Sequence, residues 1–105
     1  MSDIAVINEG NFDETVAKGV AVVDFYADWC GPCKMFAPVF LEAKNEYEGR
    51  VSFAKVNVDD NRSLALKYKV LGIPTIIFFK DGEAVDRVSG IMDKDKLYAK
   101  IDAIL

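Results

Sequence analysis

The chain has 105 residues and a net charge of −4, and it is 51% hydrophobic and 29% charged. These values are those of a globular domain with one core, and they exclude the disordered, fibrous and membrane-embedded classes. A negative net charge also argues against a nucleic-acid partner, since binding to phosphates requires clustered lysine and arginine. We therefore expect residues 1–105 to fold as a single domain.

The sequence predicts neither a membrane-spanning segment nor a secretory signal. No apolar run approaches the ~20 residues of a membrane-spanning helix. The start, Met1-Ser2-Asp3-Ile4, lacks a basic segment followed by an apolar one. Only two cysteines are present, too few for the disulfide framework of a small secreted domain. We expect a cytoplasmic protein with no membrane partner, whose cysteines serve a local chemical purpose.

Strand patterns alternate with helix patterns along the whole chain, and no linker or repeat separates them. The nearly continuous apolar run 20–26 is typical of a central strand covered on both faces. Asp81-Gly82 is the two-residue signal for a tight antiparallel hairpin. The predicted strands are 4–7, 20–26, 51–58, 75–80 and 83–88. Four helices are predicted: a short one after Asn11 that ends near residue 18, one over 32–48, one over 62–68, and a last one whose apolar face includes residues 97, 101 and 104 or 105.

Polar residues in front of these helices are predicted to cap them. Asn11, with Glu14 three positions later, resembles a capping box. Asp60 or Asn61 is the predicted cap of the third helix, and Asp93 that of the last. The predicted class is α/β, with a central mixed sheet of about five strands flanked by four helices.

The segment Cys30-Gly31-Pro32-Cys33 places two thiols three residues apart at the start of a predicted helix. Side chains at this spacing are neighbours about 5–6 Å apart at Cβ, so a modest adjustment lets a disulfide close and reopen. Pro32 suits the first helical position, and Pro38 within the helix predicts a kink. The helix dipole favours an anion, so the outer thiol, Cys30, is expected to have a lowered pKa and to be the nucleophile. Cys33, in the first turn, is the natural resolving thiol.

Other uses of the cysteine pair remain open at this point. Both thiols could be ordinary buried apolar groups, or two chains could share a metal or cluster between them. Zinc within one chain is not expected, because zinc normally takes four ligands and the sequence has no other cysteine and no histidine. We expect no metal and no bound cofactor.

Residues 23–34, which read VDFYADWCGPCK, resemble the active-site segment of the thioredoxin family. The resemblance covers nearly the whole chain, since Pro38, Lys55, the segment 72–75, Gly82 and Gly90 also match the family's pattern. It implies a thioredoxin fold and a general protein-disulfide reductase that acts as a monomer. The implied partners are a thioredoxin reductase, which re-reduces the chain, and clients such as ribonucleotide reductase, peroxiredoxins and methionine sulfoxide reductases. Gly31-Pro32 resembles the reductant members, whereas Tyr26 stands where many bacterial members carry tryptophan.

Two charged residues lie in predicted strands near the cysteines. Asp24 interrupts an apolar run, so burial would raise the pKa of its carboxyl and let it accept a proton from Cys33. The alternative is a strand-end aspartate that faces solvent. By the resemblance, Lys55 lies near Asp24 and influences its ionisation, and a solvated strand lysine is the alternative here.

The resemblance also implies a client-binding surface around Cys30. In this family a cis-proline loop, here Ile73-Pro74, faces the cysteines and leaves backbone groups available to an extended substrate segment. Trp29 is either part of this surface or a packing residue. The alternative for Gly72, Gly90, Ile73 and Ile91 is that the glycines only form turns and the isoleucines only pack. The competing class of function is a binding module that uses the same fold as a subunit. The expected surface comprises Trp29, Gly31, Pro32, Gly72, Ile73, Pro74, Gly90 and Ile91.

Overall fold

Five strands form one mixed sheet in the computed structural model, which describes residues 4–105. The strand order is β1-β3-β2-β4-β5, with β1, β3 and β2 parallel, β4 antiparallel to β2, and β5 antiparallel to β4. The predicted central position of the second strand is confirmed. The expectation drawn from Met1, Ser2 and Asp3 lies outside the described residues. The strands are β1 (Ala5–Ile7), β2 (Val20–Tyr26), β3 (Val51–Asn57), β4 (Thr75–Lys80) and β5 (Glu83–Ser89), and the helices are α1 (Phe12–Val16), α2 (Gly31–Glu46), α3 (Arg62–Lys67) and α4 (Lys94–Ile104).

Helices cover both faces of the sheet, as the apolar pattern of β2 predicts. Val23 and Phe25 belong to the core cluster that includes residues of α1 and α3. Val22 belongs to the cluster formed with α2 and α4. Because successive side chains of a strand point to opposite faces, Asp24 shares the α2 face with Val22. The helix that carries the cysteines thus packs over this aspartate's side of the sheet.

Asn11 and Asn61 occupy the predicted N-cap positions of α1 and α3, but neither side chain makes the capping hydrogen bond. The Asn11 carboxamide accepts the N–H of Asn8 at 2.8 Å and makes no capping bond to α1. The Asn61 side chain accepts the N–H of Glu9 at 3.1 Å and donates to the carbonyl of Asn57 at 3.0 Å, again without capping its own helix. Asparagine can bond to nearby loop backbone as readily as to a helix end, and here the loop partners prevail.

Two other local predictions are confirmed. Asp93 caps α4, since its Oδ1 accepts the N–H of Lys96 at 2.8 Å. Asp81 and Gly82 have φ values of 50° and 88°, as a two-residue hairpin turn with both central residues left-handed requires.

Helix α2 begins one residue earlier than the sequence predicts. Cys30 is its N-cap and Gly31 its first residue, so Pro32 occupies the second helical position rather than the first. The helix is continuous through Pro38, where the kink stays a prediction. Within residues 4–105, none of the helices is long and apolar enough to span a membrane.

Candidate active site

The two cysteines form a disulfide at the start of α2. Cys30 has an extended backbone as the N-cap, and its Sγ accepts the N–H of Cys33 at 3.1 Å. Their Cα atoms are 5.3 Å apart, within the usual range for a disulfide. A helix N-terminus provides N–H groups without intrahelical partners, so this arrangement can stabilise negative charge on the Cys30 sulfur when the bond is reduced.

Exposure does not distinguish the two thiols in the disulfide form. Cys30 is 3% exposed and Cys33 is 5% exposed. Cys30 is the outer residue of the pair only in its position along the chain, as the N-cap, whereas Cys33 lies in the first turn of α2. Both pack with Ala27 in a small apolar cluster bordered by Val58 and Ile73. A disulfide sulfur does not titrate, so the lowered pKa of Cys30 stays a prediction for the reduced form.

The loop before β4 lies directly against the disulfide. The Ile73–Pro74 peptide bond is cis, as the family resemblance implies. The Cys30 Sγ is 3.7 Å from the Ile73 carbonyl oxygen. The N–H of Gly90 donates to the Pro74 carbonyl at 2.7 Å, and the φ of 95° at Gly90 is a conformation that favours glycine. The structure therefore brings Cys30, Ile73, Pro74 and Gly90 together.

The expected client-binding residues differ in their exposure to solvent. Trp29 is 70% exposed and its Nε1–H donates to Asp59 at 2.8 Å, so the alternative of a core tryptophan is wrong. Ile73 and Gly90 are half-buried, and Pro74 is buried. The remaining predicted contacts, Gly31, Pro32, Gly72 and Ile91, are exposed.

Asp24 is buried beside Lys55. The two residues are direct neighbours in the parallel register of β2 and β3, and Asp24 is 1% exposed. Its Oδ1 has no hydrogen-bond partner among the described residues 4–105. Burial raises the pKa of the Asp24 carboxyl to about 7, while the Lys55 ammonium acts in the opposite direction. The solvent-facing alternative for Asp24 is therefore wrong.

A cavity of about 150 Å³ lies between Lys55 and Cys33. Cys33, Lys55 and Tyr26 are among the residues that line it. The Lys55 Nζ lies 4.4 Å from the centre of the Tyr26 ring, a cation–π contact that holds the half-buried lysine over the cavity. Asp24 does not line the cavity, but its neighbour Lys55 does. The cavity is large enough to hold water, and charged residues, Asp28, Lys34 and Lys55, contribute to its lining, so a proton route from Cys33 towards the neighbour of Asp24 is physically available.

The sequence reasoning missed three residues of the site: Ala27, Val58 and Asp59. Ala27 and Val58 pack against the cysteines, and Asp59 binds Trp29. These residues follow the carboxyl ends of β2 and β3. Adjacent parallel strands end at the same edge of a sheet, where sites usually form, so strand order would have been the signal.

In the part of the chain that the structure describes, no group of three or more His, Cys, Asp and Glu side chains could hold a metal ion.

Comparison with known proteins places these features in a family. The thioredoxin family model matches residues 3–103. Thioredoxins from Staphylococcus haemolyticus, Staphylococcus saprophyticus and Staphylococcus aureus are each 48% identical to this chain over 99 residues. In each case the match covers 94% of this chain and 95% of the relative.

Proposed function

Since this chain belongs to the thioredoxin family, we propose that it reduces a client disulfide by two successive attacks, the first by Cys30 and the second by Cys33. Its five-stranded mixed sheet with four helices is a thioredoxin fold, and the chain is a protein thiol–disulfide oxidoreductase. The observation that carries the order of attack is the position of Cys30 as the N-cap of α2.

Cys30 is the better nucleophile of the pair. Its Sγ accepts the N–H of Cys33 and lies at the positive end of the α2 dipole, and both interactions favour the thiolate. Cys33 is one turn further into the helix, next to the cavity that also contacts Lys55. The first thiol therefore ionises readily, whereas the second needs a proton acceptor.

The reaction transfers two electrons from the dithiol to the client. The Cys30 thiolate attacks one client sulfur, the client disulfide breaks, and the other client sulfur leaves as a thiolate that takes up a proton. A mixed disulfide now joins Cys30 to the client. Cys33 loses its proton and attacks the Cys30 sulfur, which forms the Cys30–Cys33 disulfide and releases the second client thiolate. No bound cofactor is required for either step.

Asp24 and Lys55 control the deprotonation of Cys33. A carboxyl with a pKa of about 7 is present in both protonation states near neutral pH, which suits a general base. Lys55 is the register neighbour of Asp24 and also lines the cavity, so its ammonium can stabilise the carboxylate and bind a water in the cavity that carries the proton. We assign Asp24 as the base and Lys55 as the residue that tunes it.

The client binds as an extended segment against the loop 72–74. Ile73 precedes the hydrogen-bonded register of β4, which begins at Thr75, so its backbone is placed to pair with an added strand. Apolar contact around Cys30 would come from Trp29 and Ile91, which are both exposed. The other contacts are Gly31, Pro32, Gly72, Pro74 and Gly90.

We propose the partners that the family resemblance implies. Each cycle leaves the chain oxidised, so a reductase must return two electrons to the Cys30–Cys33 disulfide, and we propose a thioredoxin reductase in this role. Clients are proteins that form a disulfide in their own catalytic cycle, of the ribonucleotide reductase, peroxiredoxin and methionine sulfoxide reductase type. We propose that residues 1–105 form one domain that works in the cytoplasm as a monomer.

Trapping of clients tests the order of attack. Cys33→Ser keeps the Cys30 thiolate but removes the second attack, so stable mixed disulfides with client proteins should accumulate. Cys30→Ser should trap few clients under the same conditions. Non-reducing gels of both variants, incubated with an oxidised extract, measure the difference. Equal covalent capture by both variants would show that the nucleophile and the resolving thiol are misassigned.

A further inference from the structure

Arg87 joins strand β5 to the end of helix α3. It lies opposite Ile77 in the β4–β5 register, and its side chain crosses to the segment that follows α3. The guanidinium Nη1 donates to the Lys69 carbonyl at 3.3 Å, and Nη2 donates to the Tyr68 carbonyl. Carbonyl groups at the end of a helix lack intrahelical partners. Arg87 therefore provides hydrogen-bond donors from β5 to carbonyls that no N–H group of α3 can reach.

The backbone that Arg87 holds turns sharply. Lys69 has a φ of 55°, in the left-handed region that glycine usually occupies at a helix end. Its N–H donates to the Leu66 carbonyl at 3.1 Å, and the N–H of Val70 donates to the Ala65 carbonyl at 2.8 Å. This is the hydrogen-bond pattern of a Schellman motif with lysine in the glycine position. Such a turn needs support from its surroundings, because a side chain in the left-handed region has a steric cost.

The same strand also holds the other end of this segment. The N–H of Gly90 donates to the Pro74 carbonyl at 2.7 Å, and the Ser89 hydroxyl is 3.3 Å from that of Thr75. Between the two ends, Leu71 is 97% exposed and gains no support from packing. Val70 packs against the core and Ile73 packs against the cysteines, so the exposed residues Leu71 and Gly72 are positioned by the two ends of the segment. Arg87 binds the backbone that leads into the first of these ends.

We propose that Arg87 is a positioning residue for client recognition. By binding the Tyr68 and Lys69 carbonyls, it presents the Ile73 backbone to an extended client segment in a preorganised position. The proposal rests on the function proposed above, in which the loop 72–74 pairs with the client. Preorganisation increases affinity for a ligand that uses the ordered groups, so Arg87 matters for disulfides in polypeptides and not for small disulfides that contact only Cys30.

Paired rate measurements on two disulfides test this role. The reduced wild-type chain and Arg87→Gln are each mixed with insulin, whose disulfides lie in polypeptide, and with 2-hydroxyethyl disulfide. We expect the second-order rate constant with insulin to fall about fivefold in Arg87→Gln, which corresponds to about 1 kcal/mol. The rate constant with the small disulfide should stay within about twofold. Arg87→Lys, which keeps one donor group, should recover part of the insulin rate.

Arg50→Gln is the matched control. It removes the same charge at the start of β3, the end of the sheet opposite to the site, and it should leave both rates unchanged. Amide hydrogen exchange gives an independent readout, since exchange of the Val70 N–H should accelerate about fivefold in Arg87→Gln if the turn loosens.

Three results would overturn the proposal: an unchanged insulin rate in Arg87→Gln, an equal fall in both rates, or the same loss in Arg50→Gln. Failure of the proposed function looks different. In that case the reduced wild-type chain does not reduce insulin, or its reaction with insulin does not require Cys30.

Discussion

Replacement of Asp24 by asparagine should stabilise the protein and slow one chemical step. Asp24 is fully buried on the α2 face of the sheet, and its Oδ1 has no hydrogen-bond partner within residues 4–105. An ionised carboxylate in that place is costly, whereas the amide has nearly the same shape and no charge. The substitution therefore removes a cost of folding together with a proton acceptor.

The magnitude follows from the pKa values. Burial raises the pKa of Asp24 from 3.8 to about 7, and each pKa unit corresponds to about 1.4 kcal/mol. The penalty of the ionised carboxylate is then about 4 kcal/mol above pH 7. The buried amide of the variant costs about 1–2 kcal/mol for its own unmet hydrogen bonds. We expect a net gain of about 2–3 kcal/mol at pH 8 in the free energy of unfolding of Asp24→Asn.

The sign of the pH dependence follows from proton binding. Between pH 3.8 and about 7, the folded state holds a proton on Asp24 that the unfolded state has lost. The stability of the wild-type protein therefore falls as the pH rises through this window, and the full penalty remains above it. The advantage of Asp24→Asn should be largest at pH 8 and should fall by about 4 kcal/mol towards pH 4, where the cost of the buried amide leaves the variant no more stable than the wild type.

Urea denaturation of the oxidised proteins from pH 4 to pH 8 measures this difference. Asp95→Asn, an exposed aspartate in the first turn of α4, is the control and should change stability by less than about 0.5 kcal/mol at each pH. Rapid-mixing kinetics test the other half: formation of the mixed disulfide should change little, and its resolution by Cys33 should slow about 10²-fold or more. A variant that is no more stable at pH 8 and resolves mixed disulfides at the wild-type rate would refute both the burial penalty and the role as base.

Two further predictions concern the start of α2 and its far end. Pro32→His places a group that can be cationic beside the Cys30 sulfur, so the reduction potential should become less negative by about 30 mV or more, measured by equilibration with glutathione. An unchanged or more negative potential would contradict the argument from the helix start. The Tyr47 hydroxyl donates to Asp102 at 2.6 Å, and burial together with this bond raises the pKa of Tyr47 to about 12. Tyr47→Phe should lower the free energy of unfolding by about 1 kcal/mol without changing the rate of insulin reduction, and a loss of activity would link this contact to the site.

Much of the site was accessible from local sequence. The apolar run of β2 predicted a central strand. Asp24 lies within this run, so a buried carboxyl with a raised pKa was predicted, because the side chains of a central strand are covered on both faces of the sheet. The spacing of Cys30 and Cys33 at a helix start likewise predicted a disulfide, since both residues lie in one turn. The Asp93 cap and the Asp81-Gly82 hairpin succeeded for the same reason, as each depends on residues within three positions of one another.

The sequence by itself therefore determined the fold class and which residues are candidates for the chemistry, while the tertiary structure decided how those residues are held. Asn11 and Asn61 did not cap their helices, because loop partners that no local rule identifies compete for the same side-chain groups. The bond between Trp29 and Asp59 and the bonds from Arg87 to the end of α3 join residues 30, 18 and 19 positions apart. Such contacts exist only once strand order has brought the carboxyl ends of β2 and β3 to one edge and β5 alongside β4. The periodicity of apolar residues indicates which face of a strand or helix a residue occupies. It carries no information about which residue of another element will contact it.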